Sequence, residues 1–395
     1  MESQKEFNLP KGFVVILALL TSITPLAIDM YLPSFTQIAQ HFHTSIDNIE
    51  ITLSIFLLGY SIGQLFGGPL SDRYGRKYFI YIGLGIYIIF SLMISLATSI
   101  EQFLIFRFIQ AIGGGLAVIN TNSIVRDIYH GNEGAKIFST ISMIMMIAPM
   151  IAPAIGTLIL NTLGWKYIFV FLSVYAFCIL YFMNKLPETS PKIKDSPFFS
   201  NYKVVFLNPK ARLLILAGGF AVSGLFTYIT KASFIYMEYF KVDATTFTVL
   251  FGLNVFTLVS FSRLNLYLLR YHSASYILIR GVLIQLIAAV MLFAFSSVHV
   301  LTSVVVLMMM YIGVLGLIFG NAMSLILEDF AKMSATANSI YGVTSFILAS
   351  FVGFLASRFH TGDLEPVFIL MLSTSAMSLA ILLYASNKYP KPITV

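Results

Sequence analysis

The sequence predicts an all-α membrane protein in which twelve transmembrane helices form two six-helix, pseudo-symmetric bundles. Three observations carry that prediction. Hydrophobic residues make up 58% of the 395 and charged residues 10%, against about 25% charged in a soluble protein. Apolar runs recur from Gly12 to Tyr384, and runs longer than about 18 residues cross a bilayer as helices. One long polar interval, from Asn184 to Lys210, separates six such runs from six. Backbone physics requires helices, since an isolated strand leaves its N–H and C=O groups unpaired in lipid. A closed barrel needs short alternating segments, which the chain lacks.

The first span, 12–36, holds Pro25 and Pro33 around Asp29. It follows MESQKEFNLPKGFVVI without a small-residue cleavage site, and so reads as a retained helix rather than a signal peptide. The second, 47–69, carries Gly59, Gly63, Gly67 and Gly68, and the fourth, 101–124, carries Gly113, Gly114 and Gly115; small residues of this kind let helices pack closely. The third covers 78–98. The fifth, 137–160, contains MIAPMIAPAIG, whose Pro149 and Pro153 lie four apart on one helical face, so a bent helix is expected. The sixth covers 165–184. After the interval come 211–235, 245–262, 274–295, 300–325, 334–357 and 366–386. The chain therefore divides into an N-terminal bundle (1–184), a linker (185–210) containing KLPETSPKIKDSPFFSNYK, and a C-terminal bundle (211–395). A six-plus-six plan of this kind suits alternating access around a central path.

The formal charge of +7 is explained by its placement. Most of the 24 Lys and Arg fall in alternate loops on the side of the termini, whereas the other side holds Lys166, Lys231, Lys241 and Arg358. By the positive-inside bias both termini are expected in the cytoplasm. The basic balance thus points to membrane topology and not to nucleic acid. The single cysteine, Cys178, excludes an intrachain disulfide and reads as a small buried hydrophobe.

Asp29 is the first functional candidate. It lies deep in GFVVILALLTSITPLAIDMYLPSF, and a carboxylate at membrane depth is retained mainly where it moves ions or substrate. The alternative is a helix that ends early near Pro25 and leaves Asp29 among headgroups. The strongest linear signal is GGPLSDRYGRK, Gly67 to Lys77, at the end of the second span. Gly68 and Gly75 keep the turn tight, and Asp72 can accept from backbone N–H groups or pair with Arg73 or Arg76. A plain reading treats it as a polar stop with topogenic charges.

That loop resembles the signature of the major facilitator superfamily, GxLxDRxGRK, through Gly68, Leu70, Asp72, Arg73, Gly75, Arg76 and Lys77. RFIQAIGGG in the fourth span is similar to the family's arginine segment, carried by Arg107, Gln110 and Gly113. APMIAPAIG resembles the exporter-branch motif through Pro149, Pro153 and Gly156, with Ala148 and Ala152 where glycines are often found. IDMYLPSF around Asp29 looks like the first-span signature of the Bcr/CflA type of drug:proton antiporters. The resemblance implies the major facilitator fold, a bacterial inner-membrane location, and conformational gating by the 68–77 loop with Pro149, Pro153 and Gly156. In the second half, FSRLNLYLLRYHSA keeps Arg263 and Arg270 but has no Asp, so any second latch there is degenerate. Glu328 and Asp329 read as solvated boundary residues.

Depth relates Asp29 to Arg107. Each lies six residues in from the same side of the membrane, or roughly 9 Å at 1.5 Å per residue. An Asp–Arg couple, direct or through water, is expected to let the carboxylate titrate with conformation; the alternative is an arginine that snorkels or binds carbonyls to hold helices together. The reading that follows is a proton-coupled exporter of small lipophilic or amphiphilic compounds, with Asp29 and Arg107 as the proton-coupling pair. A proton-coupled transporter, by symport or export, of one endogenous metabolite is the alternative. Tyr31, Tyr60, Gln64, Gln110, Asn120, Phe226 and Tyr228 are candidate cavity residues. Lys231, in FTYITKASF, either snorkels or faces the cavity, and Arg280 reads as snorkelling. The chain lacks GxxxxGK[ST], HExxH and GxSxG, so no enzyme is expected. His41 and His43, two apart, do not complete a metal site, so no metal or other cofactor is expected. Expected partners are the small-molecule substrate, protons and membrane lipids, with no nucleic acid and a monomeric state.

Overall fold

The computed structural model describes residues 12–129, 131–184, 187–190, 200–330, 333–359 and 362–389. Lys5, Lys11, Lys332, Lys391 and linker residues 185–186 and 191–199 lie outside them. Twelve helices are long and apolar enough to span a bilayer: α1 (Phe13–His41), α2 (Ile46–Tyr74), α3 (Arg76–Ser95), α4 (Ile100–Ile128), α5 (Lys136–Thr162), α6 (Lys166–Met183), α7 (Pro209–Tyr239), α8 (Ala244–Leu268), α9 (Ala274–Ala294), α10 (Leu301–Glu328), α11 (Thr336–Arg358) and α12 (Glu365–Lys388). A short helix, Ser200–Leu207, precedes α7 and packs on α11.

The packing repeats with a period of six helices. In the first half α4 packs on α2 and α3, α3 on α6, and α1 on α5; in the second, α10 packs on α8 and α9, α9 on α12, and α7 on α11. Across the seam, α2 meets α11 and α5 meets α8, again a pair related by the same shift of six. The molecule is therefore two six-helix bundles related by pseudo-twofold symmetry. Glycines set the closest crossings: a Cβ on Gly63 would sit 2.3 Å from Ile112 O, and one on Gly115 2.3 Å from Tyr60 O. Lipid-facing helix surfaces carry exposed Leu, Ile, Phe and Met, as a bilayer solvent demands.

Proline has different effects in α1 and α5. α1 is helical over Phe13–Asp29, turns through Leu32–Ser34 as a 3₁₀ segment, and resumes at Phe35–His41. By contrast, the helix containing α5 runs without interruption from Gly131 to Thr162 through both prolines. Because every second turn lies at the same end, the loop at Gly75 and the ends near Asp127, Asn184, Lys210 and Asp329 share one face, here the basic end. The α1–α2 and α7–α8 turns lie at the opposite, acidic end, with Asp47, Glu50 and Asp243.

Candidate functional site

Asp29 closes the first helical segment of α1 and is 3% exposed. The break directly after it is built by Pro33, which has no N–H to continue the helix, and by Gly156 of α5. A Cβ at Gly156 would lie 1.9 Å from Met30 O, so only glycine lets α5 touch the backbone beside Asp29. Asp29 Oδ1 has no hydrogen-bond partner among the described groups.

Arg107, on α4, is fully buried. Its Nη1 donates to Gln110 Oε1 (2.9 Å) and its Nη2 to Ala27 O (3.1 Å). The guanidinium lies over the rings of Tyr31 (4.3 Å), Phe56 (4.4 Å) and Phe169 (5.6 Å), a cage whose negative faces favour a cation. Gln110 Nε2 donates in turn to Ser91 Oγ (2.7 Å), and the Tyr31 hydroxyl shares a hydrogen bond with Thr52 (3.1 Å). The direct form of the expected couple is absent: Arg107 grips α1 by the Ala27 carbonyl and makes no ion pair with Asp29 among the described contacts. Residues two apart on a helix project to nearly opposite sides, so gripping Ala27 turns the Asp29 side chain toward other neighbours.

The cavity candidates do not form one cluster. Tyr31 and Gln110 belong to the Arg107 cage. Tyr60, Gln64 and Phe226 come together at the seam between the bundles, where Phe346 of α11 meets Tyr60 (5.2 Å between ring centroids) and Phe226 (5.6 Å), and Gly342 lies beside Gln64. Tyr228 accepts from Asn254 Nδ2 (2.8 Å) and stacks on Phe251. Asn120 donates to Leu116 O (2.8 Å), leaving its buried Oδ1 without a hydrogen-bond partner among the described groups. Sequence reasoning missed Phe346 and Asn254, which look like ordinary residues of an apolar span until α11 and α8 are placed.

At the basic end, Arg76 ties the α2–α3 turn together. It pairs with Asp72 one turn earlier and, through Nε, with Asp127 at the end of α4 (2.8 Å). Arg73, the other partner offered for Asp72, is exposed. The segment 187–190 straps the turn: Glu188 accepts from the backbone N–H of Arg76 (2.9 Å) and of Lys77 (3.3 Å), and Ser190 Oγ donates to Asp72 O (3.0 Å). A carboxylate at a helix N-terminus satisfies orphan donors and opposes the helix dipole favourably. Lys77 Nζ reaches Asn184 O (2.9 Å). Gly68 stands next to the Tyr202 hydroxyl, and Gly75 has φ +120°, where a Cβ would strike the Glu188 carboxylate at 2.5 Å. Asp127 and Glu188 were missed because each is an unremarkable acid beyond a span end. Asp329, read as solvated, pairs with Lys210 (2.9 Å).

Two readings, of Lys231 and Cys178, are corrected at the acidic end and the surface. Lys231 does not snorkel: it is 1% exposed and paired across the seam with Asp47 (2.9 Å) and Glu50 (2.7 Å) of α2, because α7 and α2 abut there and shut it from water. Cys178 is exposed on α6 rather than buried. Arg280 is exposed beside the Tyr276 ring, away from the seam, in keeping with the snorkelling reading. Further bonds join the bundles near the acidic end: Ser233 Oγ to Leu32 O (2.6 Å), Ser350 Oγ to Ser54 O (2.6 Å), and Thr157 with Thr248 (2.8 Å). Every described hydrogen bond and ion pair between the two bundles falls on this side, so the acidic end is the closed end.

Comparison with known proteins agrees with this architecture. The family model described as Major Facilitator Superfamily matches residues 17–354. A bicyclomycin resistance protein homolog from Haemophilus influenzae is 28% identical over 368 residues, covering 91% of this chain and 92% of that protein. The multidrug resistance protein MdtL of Vibrio parahaemolyticus is 28% identical over 396 residues, covering 95% and 94%. Among solved structures, the xylose transporter XylE from E. coli, in a partially occluded inward-open conformation, superposes with a TM-score of 0.74 at 14% identity, covering 97% of this chain and 98% of that one.

Proposed function

The chain belongs to the Major Facilitator Superfamily, a multi-pass inner-membrane transporter rather than an enzyme, and we propose that it exports small lipophilic or amphiphilic compounds in exchange for protons. The observation that carries this reading is Asp29: a buried carboxyl group with an unpartnered oxygen, placed where α1 breaks and α5 touches it. Charge at such a depth is costly unless it is paired, solvated or neutralised by a proton. Asp29 keeps a proton taken from the periplasmic side while the break is shut from water, and releases it when cytoplasmic water reaches the break. Arg107 acts on it through the backbone, fixing the turn of α1 that carries Asp29 by way of Ala27 O.

The rest of the cycle follows from the seam. We take the basic end as cytoplasmic, with both termini there, from the loop charges. The structure then has its periplasmic side shut by the cross-bundle bonds, and substrate enters from the cytoplasm between the halves 1–184 and 211–395, against Tyr60, Gln64, Phe226 and Asn120. Aromatic and amide side chains there suit ligands with a flat apolar body and few polar groups. Rocking about the seam exposes Asp29 to periplasmic protons, and its protonation favours substrate release and return. The Asp72–Arg76–Asp127 cluster, with Pro149, Pro153 and Gly156, gates the motion, and a monomer holds both halves of the path. The drug-resistance names of the relatives support export over uptake.

The test is proton movement driven by substrate in sealed proteoliposomes, comparing the intact protein with Asp29→Asn while screening lipophilic cations, neutral phenicol-like compounds and small zwitterions. Opposed fluxes that vanish in the variant are expected. Co-directed fluxes, or coupling that survives in the variant, overturn the reading and favour a symporter or another proton site.

A further inference from the structure

The acidic end holds a buried charge cluster that the mechanism above does not use. Lys231 of α7 lies 2.7 Å from Glu50 and 2.9 Å from Asp47, both on α2, so the ion triad bridges the two bundles. Glu50 is fully buried, and its Oε1 has no hydrogen-bond partner among the described groups. Glu238, in the Phe234–Tyr239 segment that ends α7, faces the same cluster with a buried Oε2 that likewise has no hydrogen-bond partner. Asp47 and Glu238 also line a pocket of about 710 Å³ with His43 and Lys241, both exposed and hence screened by water. The other packed elements bring uncharged groups: α11 presents Ser350 and Gly353 to Ser54, and α1 presents Tyr31 to Thr52.

We propose that Glu50 is a second proton-binding group of this transporter, taking up a proton from the water at the acidic end as that end closes. Three carboxylates face one buried ammonium. In a site from which water is removed, negative charge beyond what Lys231 can match is strongly unfavourable, and interacting carboxylates share their protons as a unit. Of the three, Glu50 has no contact with water, and its Oε1 is free to carry the proton. Lys231 then keeps Asp47 as its counter-ion. When the bundles part, water solvates Glu50 and the proton leaves to the same side. Acid at this end therefore favours closure, the return step of an antiporter. The inference rests on alternating access but not on Asp29 or on the identity of the substrate.

Pulsed-EPR distances between labels at Ser45 and Thr245, exposed residues on opposite bundles at this end, test it in the full chain with Cys178→Ser and Asp29→Asn. One linked proton changes the closed-to-open ratio by up to about tenfold per pH unit, with the closed distance gaining as pH falls. Glu50→Gln is expected to stay closed and to cut that response below about twofold, while Glu50→Asp keeps it. Lys231→Met leaves the carboxylates unmatched and should open the end. The proposal is overturned if Glu50→Gln opens the end as far as Lys231→Met, if it keeps the parent pH response, or if the parent shows none. Because the background lacks Asp29, failure of the coupling role given to Asp29 leaves this readout intact.

Discussion

Arg107 shows how much one side chain organises. Two directional hydrogen bonds and three ring faces hold its planar head, shielded from bulk solvent. Lysine cannot reproduce that fork, since its ammonium is a compact point charge. Arg107→Lys is therefore expected to lower transport at least about tenfold while the protein still reaches the membrane, the equivalent of losing one charged hydrogen bond of roughly 1.5–3 kcal/mol; flux in proteoliposomes at matched protein content checks it. Removal by Arg107→Ala also strips Ala27 O and Gln110 of their donor, and should lower the melting temperature in detergent as well. Unchanged flux in Arg107→Lys would mean that charge alone is required there. The motif made Arg107 and Gln110 legible, but the grip on Ala27 was not, because it depends on where α1 meets α4.

Among the elements, the two decisive contacts are made by glycines against backbone or carboxylate. Gly156 admits the break of α1 onto α5, and a Cβ there would overlap Met30 O. Gly156→Val should displace the turn carrying Asp29, costing about 1–3 kcal/mol as overpacking; the loss is read as a lower melting temperature together with lost proton coupling. At the α2–α3 turn, Gly75→Ala meets both a positive φ and the Glu188 carboxylate. It should cost about 1–2 kcal/mol. Glu188→Gln, which keeps the shape and removes the charge that faces the α3 N-terminus, should cost about 0.3–1 kcal/mol. Thermal melts of the three variants rank these effects, and a Glu188→Gln penalty larger than that of Gly75→Ala would contradict the geometry. The sequence marks Gly75 as a tight-turn residue and Gly156 only as part of the motif that resembles the exporter branch. It does not say that 187–190 folds back over the signature turn, since that strap joins segments more than a hundred residues apart.

For the whole molecule, the distribution of cross-bundle bonds defines the state. They cluster at the acidic end, and Thr157 and Thr248 stand with hydroxyl oxygens 2.8 Å apart across the α5–α8 contact. Cysteines at those two positions, in a Cys178→Ser background, should form a disulfide readily. The cross-link is expected to abolish transport, with recovery on reduction, as judged by flux before and after dithiothreitol. Full transport in the oxidised protein would show that this contact never opens during turnover.

Hydropathy, loop charge and the 67–77 motif were enough to specify twelve helices, a six-plus-six plan and the kinship, because each is a local or periodic property of the chain. Asp29 and Arg107 stood out for the same reason: a charge in an apolar run is conspicuous wherever the run folds. What only the tertiary structure decided is pairing. Nothing in the sequence singles out Glu50 or Asp47, and Lys231 reads as either snorkelling or cavity-facing, until α2 and α7 meet and shut Lys231 and Glu50 from water. Likewise Arg107 was matched to Asp29 by depth, yet depth does not fix azimuth, and the rotation of α1 sends the arginine to a carbonyl instead. Hydrophobicity fixes how far along the membrane normal a residue lies; which neighbour it meets is fixed by helix packing, and a single sequence carries little of that.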